Sequence, residues 1–197
     1  MRRIIVAACM TAMFLTEAEA QSPAKMRMLG RDAALGSNIA IDQIEQILTE
    51  VESDNAKRKQ QKSIPDLAAA ALETMTEKAG KGSSVALDAL KYANSKRLLR
   101  SYVPSAIGKA ATMGNNEAVQ LLVNYNENGW LLSSVVFALE GAAQRNEPAA
   151  VELLLKVMDD PDAKALWAAA SKGLIGAAAQ GNVRAKDALK KYNQANK

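Results

Sequence analysis

The chain contains a stretch whose pattern is repeated, Lys109-Ala-Ala-Thr-Met-Gly-Asn-Asn-Glu-Ala-Val-Gln-Leu-Leu122. The pattern returns in Gly141-Ala-Ala-Gln-Arg-Asn-Glu-Pro-Ala-Ala-Val-Glu-Leu-Leu154 and in Gly176-Ala-Ala-Ala-Gln-Gly-Asn-Val-Arg-Ala-Lys-Asp-Ala-Leu189. A weaker copy is Glu77-Lys-Ala-Gly-Lys-Gly-Ser-Ser-Val-Ala-Leu-Asp-Ala-Leu90. The final leucines of the four copies are 32, 32 and 35 residues apart. Self-similarity at such a period is typical of stacked repeat proteins.

Each copy predicts two helices joined by a short turn. Before the turn of one copy, Leu132, Val135 and Leu139 recur at helical spacing and form one apolar stripe. Asn146 is a good N-cap and Pro148 fits a first helical turn, so the second helix is predicted to begin there. One such pair cannot bury its own stripe, whereas stacked neighbours can. The sequence therefore predicts an all-α solenoid of about four antiparallel helix pairs over residues 63–193, followed by a tail at 194–197.

Small residues recur just ahead of each turn. Gly108, Gly141 and Gly176 are each followed closely by a pair of alanines. Because a glycine inside a helix costs about 1 kcal/mol relative to alanine, its recurrence predicts that neighbouring helices approach closely at this level. Kinked or short first helices are the alternative explanation.

Residues 1–20 have the features of a secretory signal peptide. Two arginines precede an apolar run that is too short to span a membrane, and Ala18-Glu-Ala20 supplies an Ala-x-Ala cleavage site. Cys9 would leave with this leader, so the exported chain would have no disulfide. A lipobox at Val6-Ala-Ala-Cys9 is the weaker alternative, because too few residues precede it. The sequence predicts a secreted or periplasmic protein, cleaved after Ala20, with no stable insertion in a membrane.

Between the leader and the repeats, two segments are predicted. Residues 21–36 are treated as an irregular N-terminal segment. Residues 37–62 are predicted to form an amphipathic helix that starts at Ser37-Asn38, with the charge run 54–62 as a solvated helix end or linker and a docking site as the alternative. Its apolar side carries Ile41, Ile44, Ile47, Leu48 and Val51. We interpret this helix as a cap on the first repeat, because terminal repeats need a polar outer face; a short coiled-coil or partner-binding helix is the alternative.

The composition excludes several functions. The net charge is +4, without the concentration of basic residues that nucleic-acid binding requires. The chain has no histidine and one cysteine, which removes the usual metal ligands and the Ser-His-Asp or Cys-His arrangements. No phosphate-binding glycine motif is present. The sequence therefore predicts no enzyme, no metal, no cofactor and no nucleic-acid partner.

The repeat pattern at 109–122 resembles HEAT-like repeats, in which a Gly/Asn turn precedes an Ala-Val-x-x-Leu-Leu helix. Asp159-Asp-Pro-Asp-Ala163 is similar to the Asp-Pro link that often precedes a HEAT first helix. The same pattern also resembles ankyrin repeats. However, the ankyrin Thr-Pro-Leu-His slots read Ser105-Ala-Ile-Gly108, Phe137-Ala-Leu-Glu140 and Lys172-Gly-Leu-Ile175. The resemblance therefore favours HEAT-like stacking over residues 64–193.

Two columns of mostly polar residues are predicted on the second helices, opposite the apolar stripe. They are Asp88, Gln120, Glu152 and Asp187 and, one turn later, Tyr92, Asn124, Lys156 and Lys191. Two of the resulting i,i+4 spacings, from Glu152 and from Asp187, suit ion pairs with the lysines that follow. In the families resembled, second helices line the inner curve where partners bind, so the resemblance implies these columns as the binding face. An ordinary solvated surface is the alternative.

The predicted function is an exported, non-catalytic helical-repeat scaffold that binds a protein or peptide partner. An alternative is a module that binds a small ligand or a cell-envelope polymer in a groove lined by Trp130 and Trp167. Packing between repeats is the other role predicted for these two tryptophans. An enzyme would need acid and base groups that converge in a pocket.

Overall fold

The computed structural model describes residues 21–58 and 63–195, and these residues are helical with no β-strand among them. The helices are α1 (Pro23–Ala33), α2 (Asn38–Arg58), α3 (Ile64–Gly80), α4 (Ser84–Asn94), α5 (Val103–Thr112), α6 (Asn116–Val123), α7 (Leu132–Gln144), α8 (Pro148–Asp159), α9 (Trp167–Ala179) and α10 (Val183–Ala195). A 3-10 segment, Pro161–Leu166, precedes α9. The prediction of an all-α fold is confirmed, while the predicted leader, residues 1–20, lies outside the described residues. None of the described helices combines the length and the apolar character needed to span a membrane.

Five turns of one conformation join α1 to α2, α3 to α4, α5 to α6, α7 to α8 and α9 to α10. One residue in each turn has a positive φ: Gly36, Gly82, Gly114, Asn146 and Gly181. The amide of this turn residue donates to the carbonyl three residues earlier, and the next amide donates to the carbonyl five residues earlier. This is the Schellman motif, which ends a helix by satisfying its free carbonyls. We call each helix–turn–helix segment a unit, with a first and a second helix.

The prediction that Asn146 caps α8 is wrong by one residue. Asn146 has a φ of 61° and occupies the position that glycine holds in the other four turns. The N-cap is Glu147, whose side chain makes no capping hydrogen bond. Asparagine tolerates the left-handed conformation better than most residues, and Pro148 favours the extended backbone that Glu147 adopts. Asn115 and Asn182, which occupy the position of Glu147 in their units, do cap their helices.

The segment predicted to be irregular, residues 21–36, contains α1. The Ser22 hydroxyl accepts a hydrogen bond from the Lys25 amide at 3.2 Å, and proline follows in the first turn, which is a strong start signal in a short helix. Met26 and Ala33 are fully buried. The described residues therefore contain five units, and α2, interpreted from the sequence as a cap on the first repeat, is the second helix of the first unit.

Helix α2 holds the long link between α4 and α5 in place. The carboxylate of Glu45 accepts hydrogen bonds from the backbone amides of Leu98 and Leu99 at 2.8 and 3.3 Å. The predicted start of α2 is confirmed, because the Ser37 hydroxyl accepts from the Ala40 amide at 3.2 Å. The helix continues to Arg58, so the first part of the charge run 54–62 is helical, and residues 59–62 lie outside the described range.

The units follow one another in space as they do in the sequence. Each first helix contacts the next one, from α1 through α3, α5 and α7 to α9. Second helices contact each other in the pairs α2–α4, α6–α8 and α8–α10, and each unit also packs its own two helices together. One cluster of buried apolar residues runs from Met26 to Ala188. The core is therefore continuous along the described chain.

Glycine allows the first helices to pack closely, as predicted. A Cβ added to Gly108 would lie 2.5 Å from the carbonyl oxygen of Ala138 on α7. A Cβ on Gly176 would collide with the backbone of Gln144, and one on Gly141 would collide with the side chain of Thr112. The alanines that follow these glycines are buried. Small residues thus set the separation of α5, α7 and α9.

Candidate binding surfaces

The predicted columns on the second helices are only partly free. Asp88, Gln120, Asn124, Lys156, Asp187 and Lys191 are exposed, while Tyr92 and Glu152 are half-buried. All eight lie six or ten residues after the positive-φ turn residue of their unit, so the structure keeps them in two equivalent rows. Three of them, however, contact neighbouring charged residues, and these contacts decide how much of each row a partner could reach.

Tyr92 connects α4 to α2. Its hydroxyl donates to Asp42 Oδ1 at 3.1 Å, and Lys96 Nζ lies 2.6 Å from the same oxygen and 4.2 Å from the centre of the Tyr92 ring. The hydrogen bond from Lys96 holds the pKa of the Asp42 carboxyl below its usual value, and Asp42 raises the pKa of Lys96. Tyr92 therefore belongs to the contact between the first two units.

Glu152 connects α8 to α10. Arg184 Nη1 donates to its Oε2 at 2.5 Å, and this hydrogen bond lowers the pKa of the Glu152 carboxyl and raises that of the guanidinium. The spacing predicted a pair between Glu152 and Lys156 on the same helix. Among the described residues the ion pair is made with Arg184 instead, and Asp187–Lys191 is likewise not among the ion pairs formed.

Asp88 takes part in a similar link between α4 and α6. Lys91 Nζ lies 3.0 Å from Asp88 Oδ1 and 3.2 Å from Glu117 Oε1 on the next second helix. The hydrogen bond to Asp88, followed by the one to Glu117, raises the pKa of Lys91. The second-helix surface thus serves in part to join successive units. Gln120, Asn124, Lys156, Asp187 and Lys191 remain surface candidates without such a link.

The first helices form a groove that the sequence analysis missed. It crosses α1, α3 and α5 and has a volume of about 620 Å³. Its apolar lining includes Ala69, Leu72, Ala106 and Met113. Its polar lining includes Asp66, Glu73, Ser101, Tyr102, Ser105 and Lys109. The volume lies in the range of small-molecule and cofactor sites, roughly 300–1,000 Å³.

The groove lies over α3 and α5, whose glycine contact differs from those between the other first helices. In three of the four seams between first helices, a glycine lies against the backbone of the neighbouring helix. Between α3 and α5, Gly80 instead meets the flexible side chain of Met113. Glu77 and Lys109 stand five residues before the turn residue, where the two C-terminal units have glycine. Both side chains line the groove.

The charges along the groove differ in how far they are paired. Arg27 Nε donates to Glu73 Oε2 at 3.0 Å across α1 and α3. Glu77 is bonded to Lys81 at 2.5 Å, which lowers the pKa of its carboxyl. Asp66 and Lys109 form none of the ion pairs found among the described residues. An occupant of the groove could therefore pair with Asp66 and with Lys109 without breaking an ion pair within the protein.

The two tryptophans have different surroundings. Trp130 is only 7% exposed, and its indole N–H donates to Asn94 Oδ1 at 2.5 Å. Trp167 is half-buried, donates to the carbonyl of Asp160 at 3.1 Å and has Lys164 Nζ 5.9 Å from its ring centre. Trp130 thus packs between units, which was one of the two predicted roles and leaves little of its surface for a ligand.

The described residues hold no group of three or more acidic, histidine or cysteine side chains arranged for a metal. Their buried polar side chains are Thr76 and Ser171, and every buried side-chain nitrogen or oxygen among them has a hydrogen-bond partner. What the surfaces offer chemically is apolar contact, hydrogen bonding and ion pairing.

The sequence contains a signal that one position of the first helices faces solvent, although it does not locate the groove. Nine residues before the turn residue, the first helices carry Arg27, Glu73, Ser105, Phe137 and Lys172. These side chains differ more than a packing position would allow, and Phe137 is 60% exposed. We predicted the binding face on the second helices because the resemblance implied it.

Comparison with known proteins gave no match at the level of a protein-family model, a curated protein or a solved structure.

Proposed function

We propose that this protein is an exported, non-catalytic scaffold whose five units stack as an α-solenoid of HEAT-like type, and that it binds a segment of a protein partner in the α3–α5 groove. The stacking is supported by the contacts between successive first helices. Export rests on the leader pattern of residues 1–20. A binding role is consistent with a chain that has no histidine and loses its only cysteine with the leader.

The observation that carries the proposal is the shape and lining of the groove. Asp66 and Glu77 both line it and lie eleven residues apart on α3, which corresponds to about 16 Å along a helix axis. This length accommodates about five residues of an extended peptide. The floor of alanine, leucine and methionine offers contact to apolar side chains, and methionine adapts its shape to what it meets. A linear segment therefore fits better than a compact small molecule.

The charges of Asp66 and Lys109 favour one orientation of such a segment. Asp66 lies in the first turn of α3, whereas Lys109 lies in the last turn of α5. A peptide with a basic residue at one end and an acidic residue at the other can pair with both. We therefore assign the partner to the first-helix side and not to the second-helix columns, where Tyr92 and Glu152 are already bonded.

Filling the groove tests the proposal. Ser105 and Ala69 are exposed within it, so Ser105→Trp combined with Ala69→Trp should block a bound segment without disturbing the core. Gln120→Trp is the matched control, because Gln120 is exposed on the second-helix face. The measurement is the amount of a specific partner recovered with tagged protein from the extracellular or periplasmic fraction.

We expect the groove variant to lose at least ~90% of the recovered partner, a change of about 1.4 kcal/mol or more in binding, and the Gln120 variant to keep it. Equal recovery of the partner by the wild type and the groove variant would refute the assignment of the partner to the groove. A parallel Asn124→Ala/Lys156→Ala variant tests the second-helix face. Loss in that variant alone would return the site to the columns predicted from the resemblance.

A further inference from the structure

The methionines of the described residues differ in how far solvent reaches them. Met26 and Met75 are fully buried, and Met158 is nearly so. Met28 and Met113 are 46% and 49% exposed. Because oxidation of a thioether requires contact with a dissolved oxidant, its rate follows exposure. Met28 and Met113 are therefore the methionines that an oxidant reaches first in this part of the chain.

Met113 lies in the α3–α5 groove. It is the C-cap residue of α5, and its side chain reaches Gly80, the last residue of α3. A Cβ placed on Gly80 would lie 2.4 Å from Sδ and 2.9 Å from Cε of Met113. The sulfur thus lies against α3 at one end of the groove, whereas the equally exposed Met28 is not part of the groove lining.

Lys109 precedes Met113 by one turn of α5. Residues four apart are neighbours on a helix surface, and both side chains line the groove. Lys109 forms none of the ion pairs found among the described residues. The thioether sulfur is a weak hydrogen-bond acceptor, but oxidation would place a polar oxygen on it. Such an oxygen would be within reach of the ammonium group that the groove offers to an occupant.

We propose that Met113 is a modification site, at which a hydroperoxide converts the thioether to the sulfoxide and thereby releases the partner segment from the α3–α5 groove. The sulfur donates two electrons, the O–O bond of the peroxide breaks, and an S–O bond forms. The second peroxide oxygen leaves with the hydrogen atoms as water, or as an alcohol from an organic hydroperoxide. This inference rests on the proposed function, because it describes the regulation of the same groove.

The sulfoxide weakens binding in two ways. It replaces a flexible apolar contact by a polar group, which apolar side chains of an occupant would cover at a cost in desolvation. Its oxygen also accepts a hydrogen bond from Lys109 and competes with the acidic residue of the segment. We expect the affinity for the partner to fall about 10-fold. A methionine sulfoxide reductase reverses the step, because two thiols become a disulfide while the oxygen leaves as water.

The first measurement follows the chemistry without a partner. The full chain is treated with hydrogen peroxide, and mass spectrometry of its peptides gives the rate of sulfoxide formation at each methionine. We expect Met113 and Met28 to be oxidised at least about 10-fold faster than Met26 and Met75. Circular dichroism should show an unchanged helical signal. Oxidation of Met113 as slow as that of the buried methionines, or loss of the helical signal, would overturn the proposal.

The second measurement uses two leucine variants. Met113→Leu keeps a similar apolar volume and removes the sulfur, and Met28→Leu is the matched control outside the groove. Each tagged protein is oxidised and freed of peroxide before it meets the extracellular or periplasmic fraction, so the partner itself is not oxidised. We expect oxidation to weaken partner recovery by the wild type and by Met28→Leu, and the reductase to restore it. Met113→Leu should recover the partner equally before and after peroxide.

The groove-filling variant Ser105→Trp/Ala69→Trp distinguishes this proposal from the proposed function. Loss of the partner by the filled variant, but not by the oxidised wild type, would refute the regulation and leave the groove assignment standing. Retention of the partner by both would refute both proposals. If peroxide weakened binding by Met113→Leu as much as by the wild type, the sensitive group would lie elsewhere and the assignment to Met113 would be wrong.

Discussion

Replacing Gly108 with alanine tests whether backbone contact sets the spacing of the first helices. The new Cβ would lie 2.5 Å from the oxygen and 2.8 Å from the Cα of Ala138, so α7 would have to move away by several tenths of an ångström. Alanine gains about 1 kcal/mol over glycine inside a helix, but overpacking costs about 1–3 kcal/mol. We expect a net loss of about 1 kcal/mol, or roughly 2–4 °C in Tm for a chain of this size.

Gly80→Ala is the matched control for this change. The nearest atoms are Sδ and Cε of Met113, which can rotate away because methionine has three flexible torsions, while Cβ of Met113, at 3.0 Å, would need a shift of only about a few tenths of an ångström. Gly80 is also the last residue of α3, so the propensity gain is smaller than in a helix interior. We expect Gly80→Ala to leave the free energy of unfolding unchanged or to raise it slightly.

Thermal unfolding followed by circular dichroism at 222 nm, with urea titration as a second method, measures both variants. The same chemical change is expected to lower the free energy of unfolding at Gly108 and not to lower it at Gly80. A Gly108 variant that is as stable as the wild type, or that gains as much as the Gly80 variant, would refute the view that backbone contact limits the α5–α7 distance.

Two further predictions concern the turns and the links between units. Asn146→Ala should lower the free energy of unfolding by about 1–2 kcal/mol because alanine disfavours the positive φ. Asn146→Gly should cost less, because it loses chiefly the 2.9 Å hydrogen bond from Asn182. An alanine variant that is more stable to urea than the glycine variant would contradict this. The Asp42 and Glu152 carboxyls have pKa values held below their usual range by Lys96 and Arg184, so their contribution to stability is complete above about pH 4.3 and is lost as the pH falls through the folded-state pKa. The urea midpoint should therefore fall between pH 5 and pH 3, less steeply in Glu152→Gln, and a midpoint that rises on acidification would rule out this role for the two carboxyls.

The repeat was predictable because its signals are local. A residue that accepts a positive φ, followed by a capping side chain, marks the turn at Gly114-Asn115 and at Gly181-Asn182 without any tertiary information. The same logic applies to Gly36-Ser37, whose match to Gly82-Ser83 would have revealed the first unit. That unit was not recognised, although α1, with eleven residues, is no shorter than α4 or α5.

The position of the groove could not be predicted in the same way. It depends on the distance between α3 and α5, which follows from the volume of side chains on two helices at once. Glu77 and Lys109 occupy a position that is glycine in two other units, but a single sequence does not tell whether such a residue faces solvent or a neighbour. The links made by Tyr92 and Glu152 depend in the same manner on residues 50 and 32 positions away.

One position shows where functional information lies in this chain. The residue before the turn residue is Leu35, Lys81, Met113, Arg145 or Gln180. The turn is held by backbone hydrogen bonds and by the φ of the next residue, so the turn geometry places no demand on this side chain. Leu35 is exposed, Lys81 is paired with Glu77, and Met113 lines the groove, whereas Arg145 and Gln180 donate to carbonyls of the preceding first helix. Residues that repeat therefore determine the fold, whereas residues that differ at equivalent positions determine which surface is left free for a partner.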